Sequence, residues 1–152
     1  MTSSIEKLRQ YGYELPTPKA PVANYVPVAR SGSILYVSGQ ISSNEHGVVT
    51  GRLGETMNVV QGGNAAELAA LNVLSQIVHI GGVPLDEIKR LLKITVLVAS
   101  TADFTEQHLV ANGASNLLVG VLGDKGKHAR AAFGVTSLPF GAAVEIEAVV
   151  EV

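Results

Sequence analysis

At 152 residues, with 16% charged side chains and a net charge of −2, the chain is long enough for one domain with a core but too lightly charged to cover a monomer comfortably. Hydrophobic residues reach 47% and the mean hydropathy is +0.30, so surface buried between subunits is expected. The near-neutral balance excludes the electrostatic footprint of a nucleic-acid or anionic-membrane binder, and the absence of cysteine excludes disulfides, thiolate metal sites and cysteine nucleophiles.

The first ten residues are too polar for a secretory signal, and no apolar run approaches the ~18 residues of a membrane span. A cytoplasmic protein is the expectation. Ser3-Ser-Ile-Glu6 fits a capping box, predicting a short helix over 4–11 that ends near Gly12. Pro16, Pro18 and Pro21 keep the following segment extended. Residues 1–24 therefore read as an N-terminal helix and proline-rich arm on a single domain spanning 1–152, and the arm needs something to lie against.

Ile34–Ile41 reads as a strand after the turn signal Ser31-Gly-Ser33, and Asn44-Glu-His-Gly47 as the turn into a shorter strand near Val48–Leu53. From Met57 to Ile80 there is no proline, and Val59, Gly62, Ala66, Ala69, Val73, Ile77 and Ile80 recur at three- and four-residue steps, the stripe of an amphipathic helix. Gly81-Gly82 and Pro84 stop it. Leu91–Ala99 reads as a central strand. A second long helix opens at Thr101–Phe104 and runs to Leu122; the pair Asn112-Gly113 inside it implies either a local bend or a need for close packing.

The stretch from His128 to Val152 gives two more strands. Ala129, Ala131, Phe133 and Val135 alternate with His128, Arg130, Ala132 and Gly134; Val144, Ile146, Ala148 and Val150 alternate with Glu145, Glu147, Val149 and Glu151. If the apolar sets lie under the helices, Arg130, Glu145 and Glu147 share the other face, either as a solvated Arg–Glu pair or as a site for a small anion beside the small residues Ala132 and Gly134. The order β-β-α-β-α-β-β predicts an α+β two-layer sandwich with two long helices on one face of a mostly antiparallel sheet. The other face, with Tyr36, Ser38 and Gln40 or their alternates, is too apolar to stay wet, and a second copy is its simplest cover.

Dinucleotide, P-loop, nucleophile-elbow and His-Glu-x-x-His motifs are missing. His46, His79, His108 and His128 show no ligand spacing, so no metal is expected. By themselves, Ser38 reads as a strand-ending turn residue and Tyr25 as a packing aromatic.

His128-Ala-Arg-Ala-Ala132, Leu138-Pro139 and Val144-Glu-Ile-Glu-Ala148 together resemble the C-terminal signature of the Rid (reactive intermediate deaminase, YjgF-like) family, which also goes by the older name endoribonuclease L-PSP. Val37-Ser-Gly-Gln40 resembles its first-strand motif, and Thr95-Val-Leu-Val98 with Asp103-Phe104 its middle strand and helix start. The matches extend from about Tyr25 to the C-terminus. The resemblance implies a chorismate-mutase-like fold and a homotrimer with ligand clefts between subunits. It also implies hydrolysis of 2-imino acids, such as 2-iminobutanoate and 2-iminopropanoate, to 2-oxo acids and ammonia without a cofactor. By position, Arg130 matches the arginine that holds the substrate carboxylate and Glu145 the active-site glutamate; Tyr25, Ser38 and Gly39 match residues lining the cleft. Ala132 stands where the family archetype has cysteine, and either His108 or Asn112 takes the place of its middle-helix asparagine. The longer arm and Asn112-Gly-Ala-Ser115 mark a divergent branch. The rival readings are a carboxylate-binding trimer without catalysis and a ribonuclease, the latter disfavoured by the low positive charge.

Overall fold

In a computed structural model the period-two and three-to-four-residue segments separate into a sheet and a helical layer. The structure describes residues 1–19 and 23–152; Pro21, one of the prolines expected to keep the arm extended, lies outside them. Helix α1, Ser4–Gln10, begins at the capping box: the Ser3 side chain accepts from the Glu6 amide, and the Glu6 carboxylate accepts from the Ser3 amide at 2.8 Å. It buries Leu8 and anchors Ser4 to Asp86. Beyond it, Tyr11 lies over Gly120, Tyr13 donates to Glu67, and Ser75 donates to the Pro16 carbonyl. The arm as far as Pro16 lies against the helices.

Strand β1 (Val28–Ser31) and β2 (Ile34–Ile41) form a hairpin. Gly32 sits between them at φ 58°, a conformation that favours glycine. The segment expected near Val48–Leu53 does not join the main sheet. Instead β3 (Ser43–Asn44) and β4 (Gly47–Val48) make a tiny separate hairpin. Leu53 is drawn away because its side chain is fully buried and its backbone bridges the end of the central strand, its N–H donating to the Ala99 carbonyl and its carbonyl accepting from Thr101 N–H. That bridge also delays the second long helix. Thr101 is held by Leu53 and by its own hydroxyl on Asp103, so the helix starts at Gln107 rather than at Thr101–Phe104.

Helix α2, Val59–His79, is capped reciprocally by Asn58 and Gln61. Strand β5, Arg90–Ala99, leads to α3, Gln107–Leu122, followed by β6, Ala129–Val135, and β7, Val144–Glu151. The question posed by Asn112-Gly113 is answered by packing: a Cβ on Gly113 would meet the backbone of Gly63 in α2, 2.7 Å from its carbonyl carbon. At this crossing α3 has no room for a side chain at Gly113.

The five-stranded sheet runs β1-β2-β7-β5-β6, with every neighbour antiparallel except the β5–β6 pair. The helices cover one face, giving the expected α+β sandwich on a mixed sheet. Leu35, Val37, Ile94, Val96, Val98, Val144 and Ile146 are buried beneath them. One face assignment is overturned. The parallel register pairs Arg130 with Ile94, Ala132 with Val96 and Gly134 with Val98, so those three residues share the helical side, while Ala129, Ala131, Phe133 and Val135 take the open side. Strand β6 is an edge strand, and at the rim of the helical layer a long polar side chain can reach α3 without being buried. The apolar residues of β6 therefore extend the uncovered face. A further correction is local: the register of β2 shifts between Val37 and Gln40, and this bulge turns Gln40 inward, where it accepts from Gln76 of α2. No helix among the described residues is long and apolar enough to cross a membrane.

Candidate functional site

Arg130 is exposed, but its guanidinium is fixed. Nη1 donates to Asn112 Oδ1 at 3.0 Å and to Ser115 Oγ at 3.1 Å, and Nη2 donates to the His108 carbonyl at 3.3 Å. All three acceptors are neutral and belong to α3. Asn112 and Ser115 are three apart, hence neighbours on one helix face. A guanidinium has five N–H donors. The Nε–H and one Nη2 hydrogen are therefore left without partners among the described residues, with no carboxylate to neutralise the charge. Ala132 and Gly134 continue along the same side of β6; Ala132 is half-buried, and Gly134 leaves space that Ser100 and Gln107 approach.

Glu145 belongs to a different cluster. On the open face its carboxylate lies across Gly39, where a Cβ would sit 3.0 Å from the carboxyl carbon. Only glycine at the β2 bulge admits it. Ser38, in the same bulge, donates its hydroxyl to the Val26 carbonyl at 2.8 Å and its N–H to the Pro27 carbonyl. These bonds hold the segment after Tyr25 beside the bulge, and Tyr25 itself is 58% exposed. Burial raises the Glu145 carboxyl above the ordinary glutamate range, and the negative charge of Glu147 raises it further. A depression of about 320 Å³ on this face is bordered by Tyr36, Ser38, Lys93, Thr95, Glu147 and Val149.

Ser38, Gly39 and Glu145 are thus gathered in one protomer, with Val26 and Pro27, the residues after Tyr25, beside them; Arg130 with Ala132 forms a second group. The two groups are not brought together. Strands β6 and β7 are separated by β5, roughly 10 Å between their axes, and the side chains leave opposite faces of the sheet. This corrects the expectation that Arg130, Glu145 and Glu147 share a face, and it removes the solvated Arg–Glu pair within one chain. Of the two candidates for the middle-helix asparagine, Asn112 meets Arg130 through its side chain and His108 through its carbonyl.

Ser115 was not singled out by the sequence, although its spacing from Asn112 carries the signal. His128 alternates in phase with Arg130 and bonds the same hydroxyl: Ser115 Oγ lies 2.9 Å from Nε2, and Nδ1 lies 2.6 Å from the Gly126 carbonyl. Burial lowers the His128 pKa below the ordinary histidine value; the Gly126 bond opposes the fall and the Arg130 charge adds to it. Among the described residues, no three His, Asp or Glu side chains form a cluster able to hold a metal ion.

Residues 17–152 match the family model described as Endoribonuclease L-PSP. The chain belongs to that family. Among curated proteins it is 49% identical to Protein TCP17 of Trypanosoma cruzi, over 95% of this chain and 91% of that one. The crystal structure of Atu1372 from Agrobacterium tumefaciens is 47% identical and superposes with a TM-score of 0.92, covering 98% of this chain and 92% of the other. RidA from an Antarctic Psychrobacter is more distant, at 26% identity and a TM-score of 0.60, with 90% and 94% covered. The resemblance to the Rid/YjgF group, carried by a few motifs in the sequence, thus extends through the L-PSP fold.

Proposed function

We propose that this L-PSP protein is a cofactor-independent imine deaminase, converting 2-imino acids and water to 2-oxo acids and ammonia in clefts between the subunits of a homotrimer. The observation that carries the reading is the state of Arg130: a guanidinium immobilised by three neutral acceptors, with N–H donors unpaired and no carboxylate bonded to it among the described residues. Such an edge suits a planar carboxylate held through two parallel bonds. The distance between Arg130 and Glu145 within one protomer supports a shared site. A β6 edge from one subunit meeting the Ser38–Gly39 bulge of another would supply both halves.

In this scheme Arg130 fixes the substrate carboxylate and hence the imine carbon. Glu145 orients a water and accepts its proton as the oxygen bonds to that carbon. Glu145 returns that proton to the nitrogen, giving a carbinolamine; the hydroxyl proton then passes through the same carboxylate to the amino group, and as the C=O bond forms the C–N bond breaks and ammonia leaves. A carboxylate whose pKa is raised is a better base near neutrality. Free imines already hydrolyse in water, so positioning can supply the remaining acceleration without a covalent intermediate. Tyr25, Ser38, Gly39 and Ala132 line the cleft in this reading.

The test is a coupled assay that generates imines from several amino acids. Arg130→Ala is expected to abolish the enzyme-dependent rate in a folded protein, and Arg130→Lys to recover little, because lysine lacks the fork. Normal turnover in Arg130→Ala refutes the assignment. Glu145→Gln should depress turnover more than binding of a 2-oxo acid; the reverse pattern would identify a carboxylate-binding trimer without catalysis.

A further inference from the structure

The hydrogen bonds behind Arg130 have only one consistent direction. A carbonyl oxygen can only accept, so the bond to Gly126 requires His128 to carry its proton on Nδ1. In the neutral ring Nε2 is then an acceptor, and the only hydrogen between it and Ser115 belongs to the serine hydroxyl. With that hydrogen committed, Ser115 Oγ presents lone pairs to Arg130 Nη1, a group that can only donate. The chain therefore runs from Arg130 through Ser115 and His128 to the backbone of Gly126. Its far end is well supported: Gly126 is buried, and a Cβ there would meet the Leu118 carbonyl carbon at 3.0 Å. Among the described residues the charge that acts on His128 is that of Arg130, two residues further on in β6, while α3 meets it with the neutral Ser115 and the preceding turn with a carbonyl. Lowering of the His128 pKa by burial keeps the ring neutral, as the chain requires.

We propose that Ser115 and His128 are positioning residues that hold the Arg130 guanidinium at one orientation, so that its free edge selects planar carboxylates over spherical anions. This rests on the reading of Arg130 as the carboxylate holder. A long exposed side chain ordinarily loses rotamer freedom on binding; here α3, Ser115 and His128 have ordered it beforehand. Asn112 shares the load through the other Nη1 hydrogen, and Ser115 alone links the guanidinium to the buried turn through the imidazole.

Binding is measured by calorimetry with 2-oxobutanoate, a stable 2-oxo acid, on the full-length protein and on Arg130→Ala, Ser115→Ala and Ser115→Thr. Binding by the wild type that Arg130→Ala abolishes leaves the parent reading in place. Ser115→Ala, a helix-compatible change at a half-buried position, should then weaken 2-oxobutanoate about tenfold while leaving weak chloride competition unchanged, and Ser115→Thr should restore most of the affinity. A second readout needs no ligand. Because the serine hydroxyl stabilises the neutral imidazole, Ser115→Ala should raise the His128 pKa in an NMR titration and broaden the distinct Nη signals of Arg130. Unchanged affinity, or a His128 pKa that stays or falls, overturns the positioning role and leaves the parent reading intact. Equal binding by wild type and Arg130→Ala, or none by either, removes both.

Discussion

On the helical side of the sheet Ile94, Val96, Val98, Val144 and Ile146 are fully covered, whereas on the opposite side Tyr36 and Phe133 remain 51% and 48% exposed beside Glu145, Glu147, Lys93 and Thr95. Both sides alternate along the same strands, so the difference comes from what lies over them. The helical side is finished within one chain, and it is finished tightly: Gly62 leaves room for Leu53 and Val110, and Gly113 crosses the backbone of Gly63. The open side carries too much apolar surface to be an ordinary solvated face and too many charges to be a core. Arg130 belongs to the rim of the finished side, and Glu145 to the middle of the unfinished one. Chemistry that needs both requires a second copy.

The contrast is broken most severely at the helix crossing. Gly113→Ala places a Cβ against backbone that cannot turn aside, and we expect a loss of about 2–3 kcal/mol in urea unfolding. The sign is informative, because in an uncrowded helix the same change stabilises by up to ~1 kcal/mol. A stabilised variant would mean that the helices do not cross there. On the other side the expected effect is on assembly. Phe133→Asp should leave the unfolding free energy of the protomer within ~0.5 kcal/mol while converting the proposed oligomer to monomer in sedimentation, with the proposed imine turnover lost. A variant that keeps the mass of the wild type shows that the open face is not the interface. Gly39→Ala acts on the site alone: the fold tolerates it, because what stands in the way is the movable end of Glu145, and the displaced carboxylate should lower turnover at least tenfold with unfolding little changed.

The long elements were legible because burial writes a period into the sequence. Helix α2 and strand β7 sit where the stripe and the alternation put them. Strand β1 was missed because a four-residue edge strand with three exposed positions carries no such period. Strand β6 was found but turned over: alanines at three of its first four positions fit either face equally well, and the phase was set by register with β5 rather than by hydrophobicity. The bulge that reverses Gln40 has no signal beyond Ser38-Gly39. Family motifs singled out Arg130 and Glu145 as candidates, but no motif says on which side of a sheet a side chain leaves. That is why the separation of the two groups emerges only from the fold.

The smallest effect bears directly on whether the open face is covered. Burial and Glu147 raise the Glu145 pKa in the folded chain, so folding favours the protonated carboxyl. The favourable contribution is complete below the unfolded value near 4.3 and is lost as pH rises through the folded one. At pH 7 the ionised group is therefore a net cost, and Glu145→Gln should raise Tm there, with the gap closing as pH falls to about 4. Because Glu145 is only half-buried in the protomer, solvent screening keeps the gain to roughly 1–2 °C. Assembly would desolvate the carboxylate further, so the gain at pH 7 should be larger in the assembled wild-type background than in monomeric Phe133→Asp. Equal gains in both backgrounds would mean that Glu145 is as wet in the oligomer as in the single chain, and that the cover, if there is one, lies elsewhere.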